Sequence, residues 1–157
     1  MDANLPIGLN PDDSASLCKE LNALLCDLHV FYQNVRGFHW NVQGQSFFEL
    51  RAKFEEFYTD IQVKIDEVAE RVLTLGGQPL HTMQDYVAGA TIPAVKDVHD
   101  GEEAVRHCAA AIGVLLVRER ALLAATEQAG DEGTHALMSD YVREQEKISW
   151  MLRAYLS

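Results

Sequence analysis

Three acidic residues lie on one face of a predicted helix that runs from Phe47 to Leu75. Asp66 and Glu70 are four residues apart, so both carboxylates point from the same side of that helix. Glu55 precedes Asp66 by eleven residues, which is about 1,100° of rotation and places it on nearly the same face, roughly 16 Å away. One metal ion cannot bind all three carboxylates of a single chain at that distance.

The spacing of these carboxylates favours a metal site between two subunits. A second copy of the helix, antiparallel and related by a two-fold axis, brings Glu55 of one chain opposite Asp66 and Glu70 of the other. His39 stands at the end of the preceding helix, and the short loop after it could bring its imidazole to a partner chain's carboxylates. Carboxylate oxygens with one imidazole nitrogen suit ferrous iron, and also zinc or manganese.

Each of these residues also has a structural interpretation that the sequence leaves open. Asp66 and Glu70 could form ordinary salt bridges with Lys64 or Arg71 on a solvated helix face. His39 could be a histidine whose hydrogen bonds are satisfied within its own chain. The choice depends on which partners these basic residues find in the folded chain.

A rival metal site would lie inside the bundle, where di-iron proteins place a Glu-x-x-His motif on each of two helices. The chain has one such match, from Glu132 to His135, which spans a predicted helix start and includes a glycine. It is therefore a poor platform for a pair of metal ligands. Among the other histidines, His81 is a candidate for a peripheral ligand.

The apolar residues predict an all-α fold with four long helices and one short helix. Steps of three and four between apolar residues recur in each long segment. The predicted helices run from about Ser14 to Phe38, from Phe47 to Leu75, from Thr82 to Ala88, from Asp100 to Gly130, and from near Thr134 almost to the last residue. Ser46 with Glu49, and Asp100 with Glu103, have the spacing of capping boxes.

The long connection from Pro79 to Asp100 decides the predicted topology. It is too long for a hairpin, so it separates a first pair of helices from a second pair, and the short helix lies within it. One long crossover between two pairs of helices with short loops is typical of a ferritin-like four-helix bundle.

The length and composition predict a single domain that spans residues 1–157. About 150 residues are enough for one core, and 48% of this chain is hydrophobic; residues 1–13 are expected to form an extended segment. The longest apolar run, Cys108–Val117, is too short for a membrane span, and no signal peptide pattern is present. We therefore expect a cytoplasmic protein in which Cys18, Cys26 and Cys108 are buried, reduced thiols.

The charge of the chain favours cations over nucleic acid as partners. Asp and Glu number 24 and Lys and Arg number 13, which gives a formal net charge of −11. Nucleic-acid binding depends on a basic surface that releases phosphate counterions. Because residues 1–17 also contain no Lys or Arg, direct DNA binding is disfavoured.

Several segments taken together resemble the Dps family of mini-ferritins. They are His39–Gly44, Phe54–Glu55, Asp66, Ala69–Arg71, Leu75–Gly77 and, near the C-terminus, Glu146–Leu152. The resemblance implies a hollow dodecamer with tetrahedral symmetry, ferroxidase centres at two-fold interfaces and a cavity that stores ferric mineral. It also implies that hydrogen peroxide is the preferred oxidant, and that the protein protects against oxidative damage.

The resemblance assigns roles to individual residues. It implies that His39 is an iron ligand from one subunit, and that Asp66 and Glu70 are ligands from its partner. Glu55 matches a position where the family often has an acidic residue near a second, weaker metal site. Trp40 corresponds to an aromatic residue beside the centre.

One position departs from the family pattern. Twelve residues after His39 the family usually has a second histidine, and this chain has Arg51. A guanidinium cannot accept a metal ion, so Arg51 would repel iron or turn away and pair with a carboxylate such as Glu55. We therefore expect one well-formed metal position per site and a weakened second position.

Two further expectations follow from the same resemblance. The family admits iron through acidic pores at three-fold axes, for which Glu127, Asp131 and Glu132 are candidates, although Ala136 stands where the resemblance implies an acid. The alternatives to a ferroxidase are a DNA-binding nucleoid protein, or a structural cage whose centre is impaired by Arg51.

Overall fold

Four long helices and one short helix make up the computed structural model, which describes residues 7–157. They are α1 (Pro11–Asn41), α2 (Phe47–Thr74), α3 (Met83–Gly89), α4 (Gly101–Ala129) and α5 (Glu132–Leu156). The long helices form the predicted ferritin-like bundle, and α3 is the predicted short helix in the crossover. Between residues 7 and 157 there is no β-strand, and a single bridge joins Gln43 to Asp100.

The first helix begins earlier than the apolar pattern predicts. Pro11 occupies the first turn, and the side chain of Asn10 accepts hydrogen bonds from two backbone N–H groups of that turn at 2.9 and 3.1 Å. This cap, with a proline whose φ already suits a helix, starts α1 three residues before Ser14. The expected extended segment is therefore wrong for residues 11–13, and its residues 1–6 lie outside the described part.

Of the two predicted capping boxes, one is wrong and one is half formed. Ser46 has a left-handed backbone with φ of 61°, and its side chain caps nothing, so it makes no box with Glu49. Asp100 does accept a hydrogen bond from the backbone N–H of Glu103 at 2.9 Å. Gly130 ends α4 with φ of 69°, a conformation that glycine adopts without strain.

The core lies along α1, which packs against α2, α3 and α4. Leu21, Leu24 and Leu28 on its inner stripe are fully buried. All three cysteines are buried and unpaired, as predicted. Within residues 7–157 no helix is both long and apolar enough to cross a membrane.

Polar side chains of α1 fasten the crossover to the bundle. Asn22 bonds to the backbone of Gln78 and Leu80, and Asn34 bonds to that of Pro93 and Val95. Asp27 is fully buried and accepts from the N–H groups of Thr91 and Ile92 at 2.7 and 2.8 Å. Arg118 on α4 forms an ion pair with the same carboxylate, so one side chain joins α1, the crossover and α4.

Replacing Asp27 tests how much this junction contributes to stability. Asp27→Ala leaves two buried backbone N–H groups and the Arg118 guanidinium without their acceptor, so we expect a loss of about 3–5 kcal/mol. Asp140→Ala is the matched control, because Asp140 and Arg143 form an exposed pair that contributes less than about 1 kcal/mol. Thermal and urea unfolding measure both changes, and equal midpoints for the two variants would contradict the assignment.

A buried carboxyl group also lies in the middle of the bundle. Glu119 on α4 is fully buried, and neither of its oxygens has a hydrogen-bond partner among the described residues. The side chain of Gln145 lies beside it and lowers the pKa of Glu119, but by less than burial raises it. Burial raises the pKa of Glu119 to about 8, so this carboxyl group keeps its proton at neutral pH.

This raised pKa makes stability depend on pH. The unfolded chain releases the Glu119 proton above about pH 4.5 whereas the folded chain holds it to about pH 8, so the folded state loses stability as pH rises through this window. Relative to Glu119→Gln, we expect wild type to lose about 3 kcal/mol between pH 5 and pH 8. Thermal midpoints of both proteins across this range measure the difference, and parallel profiles would show that Glu119 does not titrate in this way.

Candidate functional site

Asp66 and Glu70, the carboxylate pair, stand next to each other on the exposed side of α2. The hydrogen bond and negative charge of Asp66 raise the pKa of Glu70 above its usual value. Neither carboxylate forms an ion pair within residues 7–157. Two adjacent exposed carboxylates with no positive partner are an arrangement to which a cation can bind.

The basic residues that could have neutralised the carboxylate pair are bound elsewhere. The ammonium of Lys64 lies 2.7 Å from both Asp60 and Glu144, and Arg71 donates to Asp131 at 2.9 Å. Both basic side chains therefore turn inward, toward the α2–α5 contact. The salt-bridge interpretation of the carboxylate pair is wrong.

His39 is held in one orientation by the second helix. Its Nδ1 lies 2.8 Å from the carbonyl oxygen of Arg51, and since a carbonyl only accepts, Nδ1 carries the proton. The ring also makes an edge contact with Tyr58, with centroids 5.4 Å apart. The other nitrogen, Nε2, is left with a free lone pair, which is the form of histidine that binds metals.

Arg51 neither pairs with Glu55 nor lies free. Its guanidinium donates to the carbonyl oxygen of His39 at 2.9 Å, so the two residues exchange hydrogen bonds between α1 and α2. Glu55 is exposed and has no ion pair in the described part of the chain. The expectation that Arg51 turns to a carboxylate is not met, because a backbone acceptor holds it.

Trp40 follows His39 at the edge of this region. Its ring is half exposed, and the guanidinium of Arg36 lies over it, 4.7 Å from the ring centroid. The cation limits the movement of the indole. Trp40 therefore offers a fixed apolar surface beside His39.

A single chain keeps the imidazole and the carboxylate pair far apart. His39 is bonded to Arg51, which precedes Asp66 by fifteen residues of one continuous helix. At 1.5 Å per residue, Arg51 and Asp66 are about 22 Å apart along α2. No group of three potential metal ligands occurs within residues 7–157.

A surface cavity beside Asp66 was not anticipated from the sequence. It has a volume of about 530 Å³ and lies on the outer side of α1 and α2. Its other lining residues are His29, Tyr32, Thr59, Gln62, Val63 and Ile65. The sequence feature that could have indicated this cavity is Val63, an apolar residue that lies off the buried stripe of α2. Its side chain is 56% exposed.

The rival histidines bind backbone groups in the folded chain. Nδ1 of His135 lies 3.1 Å from the hydroxyl of Thr126 and 3.2 Å from the carbonyl oxygen of Leu123. Nδ1 of His81 lies 3.1 Å from the carbonyl oxygen of Pro79. His135 therefore joins α4 to α5, and within residues 7–157 the Glu132–His135 motif belongs to no group of three potential metal ligands.

One of the three candidate pore residues is wrong. Asp131 is 2% exposed, accepts the Arg71 ion pair, and caps α5 through the N–H of Thr134. Glu127 and Glu132 remain exposed at this end of the bundle. The acidic surface there is thus smaller than the sequence indicated.

Comparison with known proteins places the chain in a family. The family described as a ferritin-like domain matches residues 18–157. The chain is 39% identical to the DNA protection during starvation protein of Porphyromonas gingivalis, over 94% of this chain and 93% of that one. DNA protection during starvation protein 2 of Bacillus anthracis is 36% identical, over 87% of this chain and 94% of that one.

Solved structures agree with this placement. The Dps protein from Vibrio cholerae O1, described as a member of a broad superfamily of ferritin-like diiron-carboxylate proteins, is 49% identical, with a TM-score of 0.98 over 100% of this chain and 99% of that one. The Dps protein from Bacillus brevis is 32% identical, with a TM-score of 0.90 over 93% and 98% of the two chains. The chain therefore belongs to the Dps family of ferritin-like proteins.

Proposed function

We propose that this Dps protein is a ferroxidase and iron-storage subunit that binds Fe(II) between subunits and oxidises it with hydrogen peroxide. The observation that carries this proposal is the separation of about 22 Å between the Arg51 end of α2, where His39 is bonded, and Asp66. The imidazole of His39 is oriented and the carboxylate pair has no ion-pair partner within residues 7–157, yet the two cannot contact one metal ion within one chain. A second copy of the chain completes the site.

A two-fold axis near the middle of α2 brings the halves together. When Glu55 lies opposite Asp66 of an antiparallel copy, the axis passes close to residues 60 and 61. The surface cavity lined by Thr59, Gln62 and Val63 lies at this level of the helix. This cavity, with the exposed side chain of Val63 in its wall, lies on the face that would form the dimer contact.

The ligand set suits iron as the substrate. Each site would contain Nε2 of His39 from one subunit and the carboxylates of Asp66 and Glu70 from its partner, with Glu55 near a weaker second position. Such nitrogen and oxygen ligands bind Fe(II), and also Zn(II) or Mn(II) as substitutes. The carbonyl oxygen of Arg51 accepts a hydrogen bond from Nδ1 of His39 and so fixes the orientation of the ring. At many metal sites a ligating histidine is oriented by a hydrogen bond of this kind.

The proposed reaction couples two iron ions to one peroxide. Each Fe(II) gives up one electron, the O–O bond of hydrogen peroxide breaks, and its oxygens leave as water or enter ferric oxyhydroxide. Protons are released as water is taken into the mineral. Because two iron ions would supply both electrons to one peroxide, its O–O bond would break without the one-electron step that forms a hydroxyl radical.

Assembly into a dodecamer would give the protein its storage cavity. Twelve chains of net charge −11 carry a total of about −130. This charge attracts Fe(II) and repels DNA at low salt. The protection named in the relatives' descriptions would then come, in this protein, from removal of iron and peroxide and not from coating DNA.

Replacing Asp66 tests the interface site directly. In Asp66→Ala we expect anaerobic Fe(II) or Co(II) affinity to fall by roughly 100-fold or more, because one of the few charged ligands is lost. Peroxide-driven formation of the ferric absorbance should fall with it. Glu56→Ala is the matched control, since Glu56 lies on the same helix, is exposed and pairs with Lys53.

Two outcomes would count against the proposed site. If Asp66→Ala oxidises iron as fast as Glu56→Ala, the carboxylate pair is not the ferroxidase site. If wild type itself oxidises iron no faster than buffer, the structural cage with an impaired centre becomes the better description. Circular dichroism and size-exclusion chromatography of each variant separate lost binding from lost folding.

Arg51 sets how many metal ions the site holds. Arg51→His should allow about one more Co(II) per site and faster oxidation, because an imidazole replaces a cation that cannot bind metal. Arg51→Ala removes the charge without adding a ligand, so the two variants separate repulsion from ligation. Unchanged stoichiometry and rate in Arg51→His would mean that the natural residue is compatible with full turnover.

A further inference from the structure

The solvent side of α2 carries a second periodic stripe of residues, opposite the buried one. Eight exposed residues recur along it in steps of three and four, and at 100° per residue they fall within a sector roughly 100° wide. They are Phe48, Arg51, Glu55, Thr59, Gln62, Asp66, Glu70 and Leu73. A stripe of this kind, here called the outer stripe, is the surface through which one helix contacts a second helix.

The side chains of the outer stripe are complementary about its middle. The proposed two-fold axis passes midway between residues 60 and 61 and relates α2 to an antiparallel copy of itself. Arg51 precedes this axis by as many residues as Glu70 follows it, and Phe48 and Leu73 are related in the same way. A single register therefore places a cation opposite a carboxylate, and an aromatic ring opposite an aliphatic side chain.

Arg51 retains hydrogen-bond donors that its own chain does not use. Its Nη1 donates to the carbonyl oxygen of His39, and among the described residues this is the one hydrogen bond of the guanidinium. Neither Arg51 nor Glu70 forms an ion pair in the described part of the chain. A guanidinium has five N–H donors, so most of them remain for a carboxylate of another chain.

The two ends of the outer stripe are apolar and exposed. The side chain of Phe48 is 78% exposed and that of Leu73 is 58% exposed. The ring of Phe48 makes an edge contact with Phe47, with centroids 5.2 Å apart, which limits its movement. A single exposed apolar side chain needs no explanation, but two that are equally distant from one axis would cover each other in a dimer.

We infer that α2 pairs with α2 of a second copy in this register, with Arg51 bound to Glu70 of the partner subunit and Phe48 packed on Leu73 of the partner subunit. Each contact occurs twice, because a two-fold contact is reciprocal. Arg51 thereby supplies at the interface a positive charge that a second metal ion would otherwise supply, so the dimer forms before iron binds. This register rests on the proposed function, from which its two-fold axis is taken.

An Arg51 that serves only its own chain predicts something different. Arg51 and Glu70 are nineteen residues apart on one helix, which is about 28 Å, so within a chain their charges hardly interact. If the ion pair forms between chains, the effect of changing Arg51 depends on the charge at position 70. A double-mutant cycle therefore separates the two roles.

The cycle uses the full-length protein in EDTA at low salt, with the thermal midpoint as the readout. In the wild-type background, Arg51→Glu should lower the midpoint by several degrees, because like charges then meet across the interface. In the Glu70→Arg background, the same change should lower it much less or raise it. Glu56→Arg is the matched background, since Glu56 is exposed on α2 but lies off the outer stripe, and there the loss should equal that in wild type.

Cysteine cross-linking measures the register itself. The double variant Phe48→Cys/Leu73→Cys, kept in EDTA and treated with a short bismaleimide, should run as a covalent dimer on a denaturing gel. The two positions are about 37 Å apart on one helix, so a link within a chain is out of reach. Each single variant is a control that should stay monomeric on the gel, because its cysteine lies about as far from its own copy across the axis. The native cysteines are buried.

A double-cysteine protein that gives no more covalent dimer than the single variants would overturn the register. An equal loss of midpoint for Arg51→Glu in the wild-type and Glu70→Arg backgrounds would overturn the ion pair. Both measurements are made without iron, so they are independent of the ferroxidase test on Asp66→Ala. A dimer in this register that oxidises no iron contradicts the proposed function alone, whereas iron oxidation without the cross-link contradicts only this inference.

Discussion

The unbroken length of α2 is the constraint on which the proposed chemistry depends. A helix of 28 residues without a glycine or proline behaves as a rod of roughly 42 Å. It binds His39 near its start and carries the carboxylate pair near its end. A shorter or kinked helix could fold back and close a site within one chain. With this straight helix, the proposed ligand set would be complete only when two subunits assemble.

The fold was predictable because its signals are local and periodic. The stripes on the long helices and the length of the crossover were enough for the ferritin-like topology. Helix starts were less predictable, because Asn10 caps earlier than the apolar pattern and Ser46 adopts a left-handed backbone. A cap depends on one backbone conformation, which residue type alone does not determine.

The partners of charged residues were the least predictable feature. Lys64 and Arg71 lie within one turn of the carboxylate pair on α2, yet each turns to α5, some sixty to eighty residues away in sequence. Asp131 was a candidate for an exposed pore residue, and in the folded chain it is a buried cap and ion-pair partner. Helix spacing shows which residues share a face, but tertiary packing decides which of them meet.

The burial of the cysteines has a consequence for handling the protein in oxidants. Cys18, Cys26 and Cys108 are shielded from solvent, and burial raises the pKa of each thiol, that of Cys108 to about 12. Peroxide reacts with thiolates and hardly at all with protonated thiols. The folded chain thus offers peroxide no reactive sulfhydryl, so cysteine oxidation would not contribute to the peroxide consumed in an assay of the proposed reaction.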